Sequence, residues 1–169
     1  PNSDHMNGLL YIARYFNVKN VWSTGESSSV LNYHKFRKII ETKDIQLTRF
    51  KPLLQTQHIN GVQFKILYPP SDFVNRKKTV KWRNYNNNSL VLKVRFGSQT
   101  FLFPGDIMAR AERELVEISG DELKSRVLIA PHHGSRTSST DRFLDSVQPE
   151  IVIISSGWQN SEYFPHPHT

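Results

Sequence analysis

The chain has 169 residues, enough for one hydrophobic core and too few for two full-sized domains, so we expect a single domain over residues 1–169. Its 37% hydrophobic content excludes a disordered chain, and no apolar run approaches the roughly 20 residues of a membrane span. The absence of cysteine excludes disulfides, thiolate metal sites and cysteine nucleophiles. Any metal ion would therefore need His, Asp, Glu or Asn ligands.

The net charge of +7 is unevenly distributed along the chain. Residues 1–85 contain 14 Lys and Arg against 5 Asp and Glu, whereas residues 86–169 contain 8 against 10. A basic excess of this kind is compatible with a polyanionic partner. Charge alone, however, equally describes an ordinary basic protein, and it favours that interpretation.

The first half of the chain predicts two helices and three strands from the spacing of its apolar residues. In chain order these are a helix over 6–16, a strand over 18–22, a helix over 30–41, and strands over 45–50 and 62–67. Asn60-Gly61 is expected to form the turn between the last two strands. The sequence predicts a long polar loop over residues 71–87, and loops of that length are usually functional or mobile.

The second half of the chain has a more regular pattern. Its predicted elements are strands over 89–96 and 100–103, a helix over 108–118, a strand over 127–130, a helix over 140–147 and a strand over 151–154. The last two strands are apolar on both faces, which is typical of a sheet covered by other layers. The pattern therefore favours an α/β fold in which helices cover the sheet.

Polar clusters follow the predicted strands of the second half at the point where each strand ends. Asp106 follows the strand over 100–103, and His132 and His133 follow the strand over 127–130. Loops at one edge of a rigid sheet are where sites are usually built. Because imidazoles are rarely buried without partners, we favour a metal or catalytic role for the histidine pair over a structural one.

Other polar residues have simple interpretations when each is considered alone. Asp106 alone would be a turn or a helix cap, and Asp4 would cap a helix beside a solvated His5. His166 and His168 alone would belong to a frayed terminus. Beside the histidine pair, however, a carboxylate at a neighbouring strand end becomes a candidate metal ligand.

Five segments resemble, in their order along the chain, the metallo-β-lactamase-like domain of the ComEC competence proteins, which take up DNA. They are 88–92 (NSLVL), 104–107 (PGDI), 130–135 (APHHGS), 155–157 (SSG) and 166–167 (HP). The opening residues 1–9 (PNSDHMNGL) resemble the end of that superfamily's HxHxDH or HxDxDH motif, whose first His would immediately precede Pro1. The resemblance implies an αββα sandwich, and we expect this chain to lack the fold's N-terminal strands.

The resemblance also implies a set of metal ligands. Asp4 and His5 would help form one site, Asp106 would ligate and possibly bridge the metals, and one or both of His132 and His133 would complete it. We expect one or two ions of zinc or manganese, with Asp4 and Asp106 also serving catalysis. A bound ion of this kind would lower the pKa of its water, and the resulting hydroxide would attack an ester.

Departures from the motif weaken the second metal position. The first motif His is absent, and Asn2 stands where His or Asp is expected. Because a neutral amide is a poorer ligand than either, we expect the site that uses Asp4, His5 and Asp106 to be the better one.

Substrate contacts are expected from two groups of residues. By resemblance, Asn88, Ser135 and His166 would face the substrate. Residues 76–85 (RKKTVKWRNY) carry five positive charges with two aromatic residues among them, a composition that can contact phosphates and stack on bases. Within this segment we assign phosphate contacts to Lys77, Lys78 and Lys81, and a solvated loop is an equally good interpretation.

Two classes of function stay open. The leading one is a metal-dependent phosphodiesterase or nuclease that acts on incoming or single-stranded DNA in competence-type uptake, with a standalone hydrolase of small phosphoesters as the enzymatic alternative. The other class is a catalytically silent module that binds nucleic acid and keeps the fold. A ComEC-like protein would be membrane-attached through other segments, with this domain extracytoplasmic, whereas a standalone relative would be cytoplasmic.

Overall fold

A computed structural model describes residues 3–49, 55–73, 84–157, 164–167 and 169, without the side chains of Ser3 and Asp4. The chain divides into two compact units, Pro1–Leu53 and Leu54–Thr169. Whether the two act as one domain, as the sequence predicts, stays a prediction. Across the described ranges, no helix combines the length and the apolar character that a bilayer crossing requires.

The first unit is a small β-α-β arrangement preceded by a helix. Its elements are α1 (Ser3–Tyr15), β1 (Asn20–Ser23), α2 (Leu31–Thr42) and β2 (Gln46–Arg49). The strands β1 and β2 pair in parallel, as a helical crossover between them allows. Its core consists of Met6, Ala13, Phe36, Ile40 and Ile45. The helices and strands predicted in this region are confirmed to within a few residues.

The second unit is built on a six-stranded mixed sheet. Its elements are β3 (Gln57–Ile59), β4 (Val62–Tyr68), β5 (Val91–Phe96), β6 (Gln99–Phe103), α3 (Ala109–Ser119), β7 (Val127–Ile129), α4 (Asp141–Val147) and β8 (Ile151–Ile153). The strands lie in sequence order; β3 to β6 are antiparallel, and β6, β7 and β8 are parallel. The predicted α/β class is confirmed. The parallel strands bring their carboxyl ends to the same edge, where loops can form a site.

The core of the second unit lies where α3 and α4 pack on this sheet. Its fully or nearly fully buried members are Leu67, Tyr68, Val91, Leu102, Ile107, Ala111, Leu115, Leu123, Leu128, Phe143 and Val147. Burying one large side chain of this kind stabilises the fold by about 1.5–3 kcal/mol. The loops at the strand ends are therefore anchored by strands and helices that pack in this core.

Two expectations about the strands are wrong. The turn at Asn60-Gly61 joins β3 to β4, not the strand over 45–50, because β2 pairs with β1 in the first unit. Strand β8 was expected to be covered on both faces, but Ile151, Val152 and Ile153 are each about half exposed. Within the described residues β8 pairs with β7 alone, at the end of the sheet. An apolar run does not by itself distinguish an edge strand from a central one.

Candidate metal centre

Three loops come together at the carboxyl edge of the parallel strands, namely those that follow β6, β7 and β8. The loop after β6 carries Asp106, and the loop after β7 begins with a tight turn, Pro131–Gly134, which we call the histidine turn. The backbone N–H of His132 donates to the carbonyl of Gly105 at 3.0 Å, which joins the first loop to the second. This main-chain hydrogen bond therefore joins the loop that carries the carboxylate to the loop that carries the histidines.

The histidine turn has a left-handed backbone. His132 has φ 51° and ψ 42°, His133 has φ 58° and ψ 23°, and Gly134 has φ 78°. A non-glycine residue in this region costs about 1–3 kcal/mol and persists only where the surrounding structure holds it. Two such residues in succession indicate a turn that is shaped by its contacts, as is common at functional sites.

His133 faces Asp106. Its Nε2 lies 3.7 Å from Oδ1 of Asp106, and its Nδ1 lies 2.8 Å from the carbonyl oxygen of Ser155, beyond β8. Because a carbonyl can only accept, Nδ1 carries the proton, and the lone pair of the neutral ring is on Nε2. A backbone carbonyl on Nδ1 is a common means of orienting a metal-binding imidazole.

His132 has a different environment from its neighbour. Its Nδ1 lies 3.2 Å from Oγ1 of Thr137, and its Nε2 lies 3.3 Å from Nδ2 of Asn86. An amide nitrogen can only donate, so Nε2 accepts from Asn86, and Nδ1 donates to Thr137. Both ring nitrogens of His132 are thus used to connect protein loops.

Asp106 is buried, with 5% of its surface exposed. Its backbone N–H donates to Oγ of Ser89 at 3.2 Å, and that hydroxyl donates to the carbonyl of Asn86 at 2.8 Å. Gly105 precedes it with φ +62°, and a Cβ at Gly105 would lie 2.8 Å from the Cβ of Ser89. The aspartate therefore sits on a turn that requires glycine and that is held by the residues before β5.

The C-terminal segment lies against the histidine turn. The backbone N–H of His166 donates to the carbonyl of Gly134 at 2.8 Å, and a Cβ at Gly134 would lie 2.9 Å from the Cβ of Pro165. The ring of Phe164 lies 6.2 Å from the ring of His133, with an interplanar angle of 26°. A frayed terminus, the simple interpretation of His166, is therefore wrong at this residue.

The sequence-predicted residues fall into three groups. Asp106, His132 and His133 come together, and two predicted substrate contacts, Asn88 and Ser135, are buried nearby with 6% and 4% exposed. His5 is exposed on α1, in the first unit. The side chains of Asp4, Lys77, Lys78 and Lys81 lie outside the described residues. The ligand and substrate roles of all these residues stay predictions.

Several residues that shape the site were missed at the level of sequence. They are Asn86, which contacts His132; Thr137, on the other side of that ring; and Phe164, beside His133. Ser155 lies in the SSG segment of the resemblance, but the contact of its carbonyl with His133 is not predicted by the motif. Single polar residues in loops carry no periodic signal. The run of three asparagines at residues 86–88, directly before a strand, was the visible cue.

The pair formed by Asp106 and His133 fits a divalent ion. Two ligand atoms about 2.1 Å from one tetrahedral ion lie about 3.4 Å apart, close to the 3.7 Å between Oδ1 and Nε2. A carboxylate and a neutral imidazole are donors that zinc and manganese both accept. The geometry and the donor chemistry therefore agree.

Comparison with known proteins gives a consistent family. The metallo-beta-lactamase superfamily model matches residues 1–158. The chain is 38% identical over 108 residues to competence protein ComA of Neisseria gonorrhoeae, covering 64% of this chain and 14% of that protein. It is 28% identical over 159 residues to ComE operon protein 3 of Bacillus subtilis, covering 84% and 19%.

A third relative, recombination protein 2 of Haemophilus influenzae, is 37% identical over 109 residues, covering 64% of this chain and 12% of that protein. The chain thus corresponds to less than a fifth of the length of these relatives. The resemblance to the competence proteins is confirmed, and the mixed α/β architecture agrees with it. The superfamily binds divalent metals and is generally hydrolytic. The chain belongs to the metallo-β-lactamase superfamily.

Proposed function

We propose that this chain is a metal-dependent phosphodiesterase that cleaves DNA in competence-type DNA uptake. The observation that carries the proposal is the pairing of Asp106 with His133. Their facing atoms are 3.7 Å apart, and the Ser155 carbonyl orients the imidazole with its lone pair on Nε2. This arrangement supports a bound divalent ion, in a superfamily whose members are generally hydrolases.

Each ligand has a distinct part in the proposal. Asp106 and His133 hold the ion, and Asp4 and His5 contribute the further ligands that the opening motif implies. In the proposal His132 supports the turn and does not bind the ion, because both of its ring nitrogens contact protein side chains. When bound, a divalent ion supplies Lewis-acid activation of water and neutralises charge that develops on a phosphate.

The choice of DNA as substrate rests on the relatives and on charge. Two relatives are named as a competence protein and a recombination protein. The basic segment 76–85 ends at Tyr85, which is 50% exposed and directly precedes Asn86. Because Asn86 contacts His132, the end of this segment is covalently close to the site. In the proposal, Lys77, Lys78 and Lys81 contact the phosphate backbone.

Activity is tested by incubating the chain with Mn²⁺ or Zn²⁺ and with single-stranded and double-stranded DNA. We expect metal-dependent cleavage that is lost in EDTA and in Asp106→Asn, which replaces an anionic ligand by an amide of the same size. Metal binding without cleavage of any substrate would favour the silent nucleic-acid-binding module. Hydrolysis of only a small chromogenic phosphodiester would favour the small-phosphoester hydrolase.

DNA contact by the basic segment is tested with Lys77→Ala, Lys78→Ala and Lys81→Ala combined. Affinity falls with salt, and each lost phosphate contact should make the slope of log affinity against log salt less steep by about one unit. Hydrolysis of a small chromogenic substrate should be unchanged. Lys19→Ala, Lys35→Ala and Lys38→Ala combined is a charge-matched control from outside the segment. Equal DNA affinity and slope in the two triple variants would remove the segment from the proposal.

A further inference from the structure

Glu112 is a carboxylate in an unusual place. It lies in the first turn of α3 with 0% of its surface exposed. It accepts hydrogen bonds from the backbone N–H of Ser139 at 2.5 Å, the backbone N–H of Thr140 at 2.9 Å and the hydroxyl of Thr140 at 2.7 Å. Buried carboxylates are rare because desolvation is costly, and three donors are what such a group needs to remain there.

The residues that Glu112 binds lie at the start of α4. Thr140 is the N-cap of this helix, yet its side chain makes no capping hydrogen bond to it. Ser139 before it is left-handed, with φ 61°. The Thr140 hydroxyl instead donates to Glu112, so the carboxylate from α3 holds the segment where a capping side chain would normally act.

The segment between the histidine turn and α4, residues 135–140, is here called the capping loop. It is also tied to the start of α3, because Ala109 N–H donates to the Thr137 carbonyl and the Ser138 hydroxyl donates to the Ile107 carbonyl. Thr137 in turn contacts Nδ1 of His132. A continuous set of hydrogen bonds therefore runs from Glu112 through the capping loop to the histidine turn.

We propose that Glu112 is a positioning residue that fixes the histidine turn against Asp106 through its hydrogen bonds to the capping loop. Helix α3 then links both halves of the site, since Asp106 lies three residues before its start and Glu112 lies within its first turn. The consequence for metal binding rests on the proposed function, whereas the consequence for histidine geometry does not.

The test compares Glu112→Ala and Glu112→Gln with Leu115→Ala in the 169-residue chain. Leu115 is one turn further along α3, fully buried in the core, and makes no part of the hydrogen-bond set above. Leu115→Ala therefore reports the effect of lost stability while the hydrogen bonds from Glu112 to the capping loop are retained. Glu112→Gln keeps the size and one acceptor oxygen, so it remains informative should the alanine variant not fold.

Two readouts are taken from each variant. Long-range ¹H–¹⁵N NMR spectra of the metal-free protein report which ring nitrogen of each histidine is protonated, and Mn²⁺ titration reports affinity. We expect both Glu112 variants to lose the Nδ1–H signature of His132. They should also bind Mn²⁺ about 10-fold more weakly, the low end of the effect of removing a group that hydrogen-bonds a ligand directly, because Glu112 acts on His133 only through the turn. Leu115→Ala should keep both properties in its folded fraction.

Wild-type signatures and affinity in both Glu112 variants, or an equal loss in Leu115→Ala, would overturn the inference. If the wild-type chain binds no Mn²⁺, the proposed function fails, and the NMR spectra alone decide the role of Glu112. The two failures are thereby distinguished.

Discussion

The two regions that supply the predicted metal ligands are built differently. The histidine turn is left-handed and is held by side chains and backbone groups from five other segments of its unit. Helix α1, which carries His5, is an ordinary helix over a core of five buried residues, and Tyr11 and Tyr15 on it are 60% and 65% exposed. We infer that the turn presents the predicted ligand His133 in a preorganised orientation, whereas the predicted ligand His5 lies at an exposed position of a regular helix.

The largest effect is expected from Asp106→Asn. The substitution removes the negative charge from the buried ligand and leaves its size unchanged, so metal affinity should fall more than about 100-fold, beyond the range for outer-shell partners. Calorimetric titration with Mn²⁺ measures this. Asp121→Asn is a matched control because Asp121 lies on the surface, paired with Lys124. An affinity for Asp106→Asn within threefold of the control would exclude Asp106 as a ligand.

A comparison of His133→Ala with His5→Ala tests the difference between the two regions directly. His133→Ala removes an oriented imidazole, so the affinity for Mn²⁺ should fall by about 100-fold, or about 2.7 kcal/mol. His5→Ala removes a predicted ligand at an exposed helix position, and we expect about a 10-fold loss of affinity. Equal losses, or the reverse order, in the same titration would contradict the idea that the histidine turn is the better organised region.

Glycine substitutions examine the turn before Asp106. Gly97→Ala and Gly105→Ala introduce a Cβ at similar φ, 56° and 62°, and the strain of that backbone should cost each about 1–2 kcal/mol. Only the Cβ at 105 would also meet Ser89, at 2.8 Å, which should add about 1–3 kcal/mol of overpacking. Urea unfolding measures both. Equal destabilisation would show that Ser89 yields freely and does not hold the aspartate turn.

The smallest expected effect is a pH dependence from Glu112. Burial raises its pKa above the ordinary value of 4.5, although hydrogen bonds from Thr140 and Ser139 act in the opposite direction. A raised pKa in the folded state means a contribution to stability that is complete below pH 4.5 and is lost as pH rises through the raised pKa. The free energy of unfolding of wild type relative to Glu112→Gln should therefore fall with pH across that window. A rise instead would indicate that the anion is the favoured buried form.

Much of the architecture could be predicted from residue patterns. Helix α3 and strands β5 to β7 have clear periodicity and lie within a few residues of their predicted positions. The exposure of β8 could not be predicted from its apolar run. It follows from the position of this strand at the end of the sheet, where it has one neighbouring strand among the described residues. The pattern of one strand contains no information about how many neighbours it acquires.

For the candidate site, the motifs identified Asp106 and the histidine pair but not the division within the pair. One of the two ring nitrogens of His132 contacts Asn86, which is 46 residues away along the chain. The orientation of His133 depends on a carbonyl beyond β8. Such contacts follow from tertiary structure, so adjacent histidines with identical local sequence patterns can differ completely in environment.

The most direct test of the central claim is the position of a bound ion relative to the two histidines. Anomalous diffraction from crystals of the chain loaded with Zn²⁺ would locate it. We expect an ion about 2.0–2.2 Å from Nε2 of His133 and from a carboxylate oxygen of Asp106, with His132 still in contact with Asn86 and Thr137. An ion bound through Nε2 of His132, with Asn86 displaced, or an ion that contacts neither Asp106 nor His133, would contradict this account.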